Sequence, residues 1–379
     1  MFPLTTSAYW SRVEGVIEPR STSTESAGSP YENSGAFRRD FFAMGLDGSV
    51  LAVRKPTRPR EQGRGERVLP GVWRLRLPLD LPGVPHVNAW ALKASGGIVL
   101  VDTGMHDRGT MAHLEQALDR TGHRVGDIKL IVVTHAHIDH CGQAPPLAAR
   151  ARCEVWMHPN WKLHAHEDLD ESIDIALLSG VPEGPLRQWA EARRGMGTGQ
   201  AGELYSDKDL VPGVTFETDA GVWQVIETPG HAPSHVCLHQ PDQRVLLTGD
   251  HLLGRVSQYF DVGYTPDPIG EFLQSLTVVE GLDARLALAG HARPFTDIQA
   301  HIEGNRVEVQ AKLAATRAAL GDGPKSAYEL ARVVYAGTFN ADLASWLITM
   351  TRAWLVHLQR LGEVVNDGGE SVERWELAS

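Results

Sequence analysis

The stretch Leu130-Ile131-Val132-Val133-Thr134-His135-Ala136-His137-Ile138-Asp139-His140-Cys141-Gly142 passes abruptly from apolar, β-branched residues to ligand-type side chains. Leu130 to Thr134 reads as a buried strand that delivers the polar cluster to its carboxyl end. His135 and His137 are two apart, so on extended backbone their side chains leave the same way and can grip one metal ion from one side. Asp139 and His140 follow where the chain begins to turn, and can face a second position beside the first. Imidazoles and a carboxylate just past a buried strand need a partner, which sets aside a merely solvated histidine-rich loop.

Working outward, the same strand-then-ligand logic recurs. Upstream, Val72 to Leu77, Val87 to Leu92 and Ile98 to Val101 read as successive strands separated by Gly, Pro and Asp, the last ending at Asp102. Residues 110 to 122 carry apolar side chains at helical spacing and lead back to the Leu130 strand. Downstream, Leu147 to Arg152 suits a helix and Cys153 to Met157 a strand. Val222 to Glu227 then delivers His231, Arg244 to Thr248 delivers Asp250, and Arg285 to Ala289 delivers His291.

The pattern His135-x-His137-x-Asp139-His140 resembles the signature of the metallo-β-lactamase-fold hydrolases. The family's other pieces stand in order around it: Val101-Asp102-Thr103-Gly104 before, and Thr228-Pro229-Gly230-His231, Thr248-Gly249-Asp250 and Ala289-Gly290-His291 after. The resemblance spans about residues 68 to 295 and implies an α/β fold, a four-layer αββα sandwich. It also implies a ligand set: His135, His137 and His231 on one metal, Asp139, His140 and His291 on the other, Asp250 bridging them, and Asp102 as a buried organiser. Two divalent ions are expected, zinc first, with iron or manganese as alternatives. A hydroxide shared by two metals would be the nucleophile, with Asp139 and Asp250 as the catalytic carboxylates that orient it. Asp250 stands where cysteine-bearing lactamases place a thiol, which disfavours antibiotic hydrolysis. The last motif departs mildly from the usual Gly-His-Gly, reading Gly290-His291-Ala292.

Residues 1 to 66 read as a tail and linker, with a Ser/Thr-rich run and a basic stretch, Arg54, Lys55, Arg58, Arg60, Arg64 and Arg67, among prolines and glycines. Short apolar islands at Phe41 to Met44 and Val50 to Val53 suit a strand or a short helix. Residues 67 to 295 form the catalytic domain. Within it, 158 to 213 reads as a helical lid insertion carrying substrate selectivity, whose His158, His164 and His166 fit exposed surface or contacts behind the ligands better than metal binding. Residues 296 to 379 read as three helices and a hairpin, a winged-helix-like module similar to that of the lactamase-β-like protein 2 relatives.

Net charge is −11, which argues against a protein built for nonspecific nucleic-acid binding. Three scattered cysteines make a disulfide framework improbable. No apolar run approaches a membrane span and no secretion signal stands at the start, so the expected location is cytoplasmic, with no membrane partner. The expected activity is dinuclear hydrolysis of a small-molecule thioester, ester or lactone. Alternatives are an endoribonuclease with RNA held by the C-terminal module, and a mononuclear iron persulfide dioxygenase. The C-terminal module could also support a homodimer.

Overall fold

The computed structural model describes residues 63–379 except 82–83, 108, 165–168, 195–198, 256, 341–342 and 370, together with a small strand pair, Ala43–Met44 and Val50–Leu51. That pair falls on the two apolar islands. The basic residues Arg54, Lys55, Arg58 and Arg60, and His166, lie outside the described residues.

Strands β1 (Arg64–Leu69), β2 (Val72–Leu81), β3 (Val84–Ala94) and β4 (Gly97–Val101) form an antiparallel meander, so regular structure begins slightly before the expected boundary. Helix α1 (Thr110–Asp119) crosses back to β5 (Ile128–Val132), which lies parallel to β4. Helix α2 (Ala144–Ala151) leads to β6 (Glu154–Met157), also parallel. The period of two decides the layers. In β4, Ile98 and Leu100 face a cluster with Leu114 and Leu118 of α1 and Leu147 of α2, while Val99 and Val101 face the opposite cluster with Trp223, Leu238 and Leu247.

The expected lid holds two helices, α3 (Leu169–Leu178) and α4 (Glu183–Arg194). Its end differs from the expectation: Lys208–Asp209 is a short strand, β7, that pairs with β6 and extends the first sheet to seven strands. Leu204 and Leu210 are buried in the sandwich on either side of it, and burying them outweighs leaving the whole segment over the site.

The second sheet has five strands in chain order, β8 (Thr215–Thr218), β9 (Gly221–Glu227), β10 (Val236–Gln240), β11 (Val245–Gly249) and β12 (Leu286–Ala289). β11 and β12 are parallel, connected through α5 (Pro268–Glu280). Neither β10 nor α5 is among the sequence expectations. Every residue of β10 is buried, His239 and Gln240 included, so it lacks the alternation that marks a half-exposed strand. The outer face of this sheet is covered by Ile269, Phe272 and Leu276 of α5, completing the αββα layers.

Helices α6 (Ile298–Leu320), α7 (Ala327–Val334) and α8 (Ala344–Arg360) and the hairpin β13 (Val364–Asn366) with β14 (Trp375–Leu377) follow, three helices and a hairpin. Their core is continuous with that of the second sheet: Cys237, Leu246 and Phe272 share a cluster with Val309, Trp354 and Trp375. The insertion packs on this module too. Val181 and Leu186 meet Ala331, Ala344 and Ile348, and the Tyr328 N–H donates to the Ser179 carbonyl.

Candidate metal centre

All seven expected ligand residues converge at the carboxyl ends of the inner strands. After β5 the chain stays extended through His137, then makes one helical turn, Ile138–Cys141. This sends His135 and His137 one way and Asp139 and His140 the other. The His135 Nε2 lies 3.0 Å from His137 Nδ1, and His231 Nε2 lies 3.3 and 3.0 Å from those two atoms. Three nitrogens held at about 2.0–2.1 Å from one tetrahedral ion stand about 3.3 Å apart, so this triad has the size of a metal site. Beside it, His291 Nε2 is 3.3 Å from Asp139 Oδ2, and His140 Nε2 is 3.7 Å from the same oxygen. Asp250 stands between the triads, with Oδ2 at 3.1 Å from His291 Nε2 and 3.8 Å from His231 Nε2, and Oδ1 at 3.5 Å from His140 Nε2.

Each histidine's outward nitrogen has an acceptor. His140 Nδ1 meets Asp102 Oδ2 at 2.9 Å, His231 Nδ1 the Tyr259 carbonyl at 2.9 Å and His291 Nδ1 the His86 carbonyl at 2.9 Å. His135 Nδ1 meets Thr134 Oγ1 at 3.0 Å, whose hydroxyl donates to Asp102 Oδ2. His137 is turned over, Nε2 meeting Asp261 Oδ2 at 2.9 Å. With these outward nitrogens hydrogen-bonded, the five nitrogens that face inward are the ones metal ligation requires. His140 Nε2 and Asp250 Oδ1 are buried with no hydrogen-bond partner, so the donor set fits divalent ions and is unsatisfied without them.

Charge in this cluster follows the same division. Burial and the imidazoles of His140 and His137 push His135 well below the usual histidine value, and burial with His137 takes His231 down to about 4. On the other side burial is outweighed. Asp250, Asp139 and Asp102 raise His140, and Asp250 with Asp139 raises His291 to about 10. Despite burial, His140 and His291 hold both Asp139 and Asp250 below the carboxylate range. In the first triad His137 is the exception, because Asp261 raises it against burial; the second triad is the carboxylate-rich one.

The family model for the metallo-beta-lactamase superfamily matches residues 82–291. The chain belongs to that superfamily. A solved metallo-beta-lactamase family protein from Thermus thermophilus is 30% identical, with a TM-score of 0.69, covering 82% of this chain and 100% of that one. The probable metallo-hydrolase YqjP of Bacillus subtilis is 23% identical over 65% of this chain and 80% of its own. An atrochrysone carboxyl ACP thioesterase of Aspergillus chevalieri is 22% identical over 62% of this chain and 61% of its own. This metallo-beta-lactamase superfamily member is therefore a metal-dependent hydrolase with a His/Asp cluster for divalent ions.

Several supports of the superfamily site were not foreseen. His235 accepts the Asp250 N–H at Nε2, 3.0 Å, and turns Nδ1 to Thr228 Oγ1 at 2.7 Å, fixing the backbone of Asp250. The Ser234 hydroxyl accepts the Ala136 N–H at 3.0 Å. Asn88 donates Nδ2 to the carbonyls of Ala289 and Ala292 on both sides of His291. Asp261 also receives His164 of the insertion, whereas His158 pairs with Glu227 farther off. His235 had a sequence signal, four residues after His231; Asp261 and Asn88 had none. Cys141 is a buried side chain whose thiol donates to the Ala136 carbonyl, pointing back to the loop.

Proposed function

We propose that this chain is a dinuclear hydrolase of thioesters or of esters and lactones, small or medium in size. The observation that carries the reading is the pair of complete triads sharing Asp250. His135, His137 and His231 would hold one ion, and Asp139, His140 and His291 the other. Two divalent ions, zinc by the nitrogen and carboxylate donors, would lower the pKa of a water held there and polarise an electrophilic carbonyl. Asp139 and Asp250, kept ionised by His140 and His291, are acceptors able to orient that water.

The surroundings favour an organic acyl group. Tyr259 stands edge-on to His137 and His231, at 5.8 and 5.9 Å between ring centroids, and Trp346 of α8 packs against Tyr259 at 6.2 Å. The acyl-carrier thioesterase among the relatives is consistent with such a substrate. The ribonuclease alternative gains no support from the C-terminal module, where Arg306 pairs with Glu280, Arg317 with Glu363 and Arg352 with Glu373. A mononuclear oxygenase would leave the second triad without a purpose.

The test is the initial rate of zinc-loaded protein on acyl-coenzyme A, S-acyl glutathione and lactone panels, beside labelled single-stranded RNA, with Asp250→Ala as control. Thioester or lactone cleavage lost in the variant is the expected result. Cleavage retained by the folded variant, or cleavage of RNA alone, overturns the reading.

A further inference from the structure

The insertion meets the hydrogen-bond partner of a candidate ligand at Asp261. Helix-like turn Pro159–Leu163 ends at His164, whose Nε2 lies 2.8 Å from Asp261 Oδ2. The same oxygen takes His137 Nε2 at 2.9 Å. Asp261 is 6% exposed, and its carboxylate lies well below its usual range because His137 and His164 outweigh burial. Both separations are those of charge-assisted hydrogen bonds. His137 already directs Nδ1 at His135 and His231, so its Nε2 carries the proton and Asp261 accepts it. The His164 ring is fixed by stacking on Tyr264, 4.6 Å between centroids at 29°. A second tie, Asn160 Nδ2 to the Pro233 carbonyl at 3.1 Å, holds the turn beside His231.

We propose that His164 is a positioning residue for the first ion, acting through Asp261, so that docking of the 158–164 turn and the tightness of that ion are one linked equilibrium. An ion on His137 Nδ1 makes its Nε2–H a stronger donor, which fixes Asp261; a fixed Asp261 is the better acceptor for His164, which docks the turn. Linkage is reciprocal, so removing the His164 donor loosens the ion. Asp261 thereby ties the segment carrying α3 and α4 to the state of the site. The inference rests on the reading of His135, His137 and His231 as holding an ion.

The experiment measures zinc affinity by competition with a chromophoric chelator, and hydrogen exchange at 158–164 with and without zinc. His164→Phe keeps the ring on Tyr264 and deletes the donor; His164→Gln returns one. Expected are an affinity loss of about tenfold in His164→Phe, most of it recovered in His164→Gln, and no further loss when His164→Phe is added to Asp261→Ala. Zinc should slow exchange at 158–164 in the wild type. Equal zinc affinity in folded His164→Phe, equal loss in the Asp261→Ala background, or exchange indifferent to zinc overturns this inference alone. So does an additional zinc equivalent lost with His164, which would mean an ion rather than protons between His164 and Asp261. A wild type that takes up no zinc overturns the proposed function as well.

Discussion

Asp102 sits at φ 61°, a left-handed conformation that costs a residue with a side chain roughly 1–2 kcal/mol. The strain is offset by what the carboxylate gains there. Its Oδ1 accepts the Thr134 N–H at 2.8 Å, and its Oδ2 accepts the Thr134 hydroxyl and His140 Nδ1, each at 2.9 Å. Replacing Asp102 by alanine orphans all three donors and frees the tautomers of His135 and His140; zinc affinity by chelator competition should fall about 10- to 100-fold. Ala292 shares the conformation, at φ 59°, where the motif more often has glycine. Its strain relief on Ala292→Gly, roughly 1–2 kcal/mol, exceeds the entropy glycine brings to the unfolded chain, about 0.5–1 kcal/mol. The variant should gain roughly 0.5–1 kcal/mol in a denaturant titration of the metal-free protein. Gly290 has no such latitude, because a Cβ there would come within 2.1 Å of Asp250 Oδ1. The raised histidines give the pH dependence. His140 and His291, the latter at about 10, are protonated at neutral pH in the metal-free protein, and an ion must displace those protons. Raising pH removes the competitor, so metal binding should tighten from about pH 6.5 toward 9, by about tenfold per pH unit for each proton displaced. Affinity that weakens or stays flat over that range contradicts the assignment.

At the scale of elements, the clustered His and Asp residues were readable because each group follows an apolar strand: β5 before His135, β9 before His231, β11 before Asp250, β12 before His291. Period and composition locate such strands, and their polar ends are where ligands can stand. What the chain does not spell out is which distant acceptor meets each ring. The carbonyls of Tyr259 and His86 carry no side-chain signal at all. Asp261 lies in a loop, Gln258-Tyr259-Phe260-Asp261-Val262, with nothing local to mark it. The insertion was legible as helical but not as a bridge. Its Ser179 carbonyl and hydroxyl meet Tyr328 and Arg352 of the C-terminal module, and Gly199 accepts the His106 N–H beside the metal loop. These are tertiary choices made by burial between remote segments, which local patterning does not encode.

For the molecule as a whole, the shared cluster from Leu246 through Phe272 to Trp354 and Trp375 joins the second sheet to the C-terminal helices, with the His357–Asp267 pair beside it. Unfolding should therefore be a single calorimetric transition that includes the module. Two resolved transitions would mean the module melts by itself. Among the described residues no helix is long and apolar enough to cross a membrane. The order of the ligands along the chain bears on how the protein is made. Of the first triad the last member to emerge from the ribosome is His231, whereas the second triad waits for His291, beyond β12. The first cluster is thus complete in the nascent chain while the strand that completes the other is still unsynthesised. If both triads hold ions as proposed, metal present during translation would meet the first triad complete before the second.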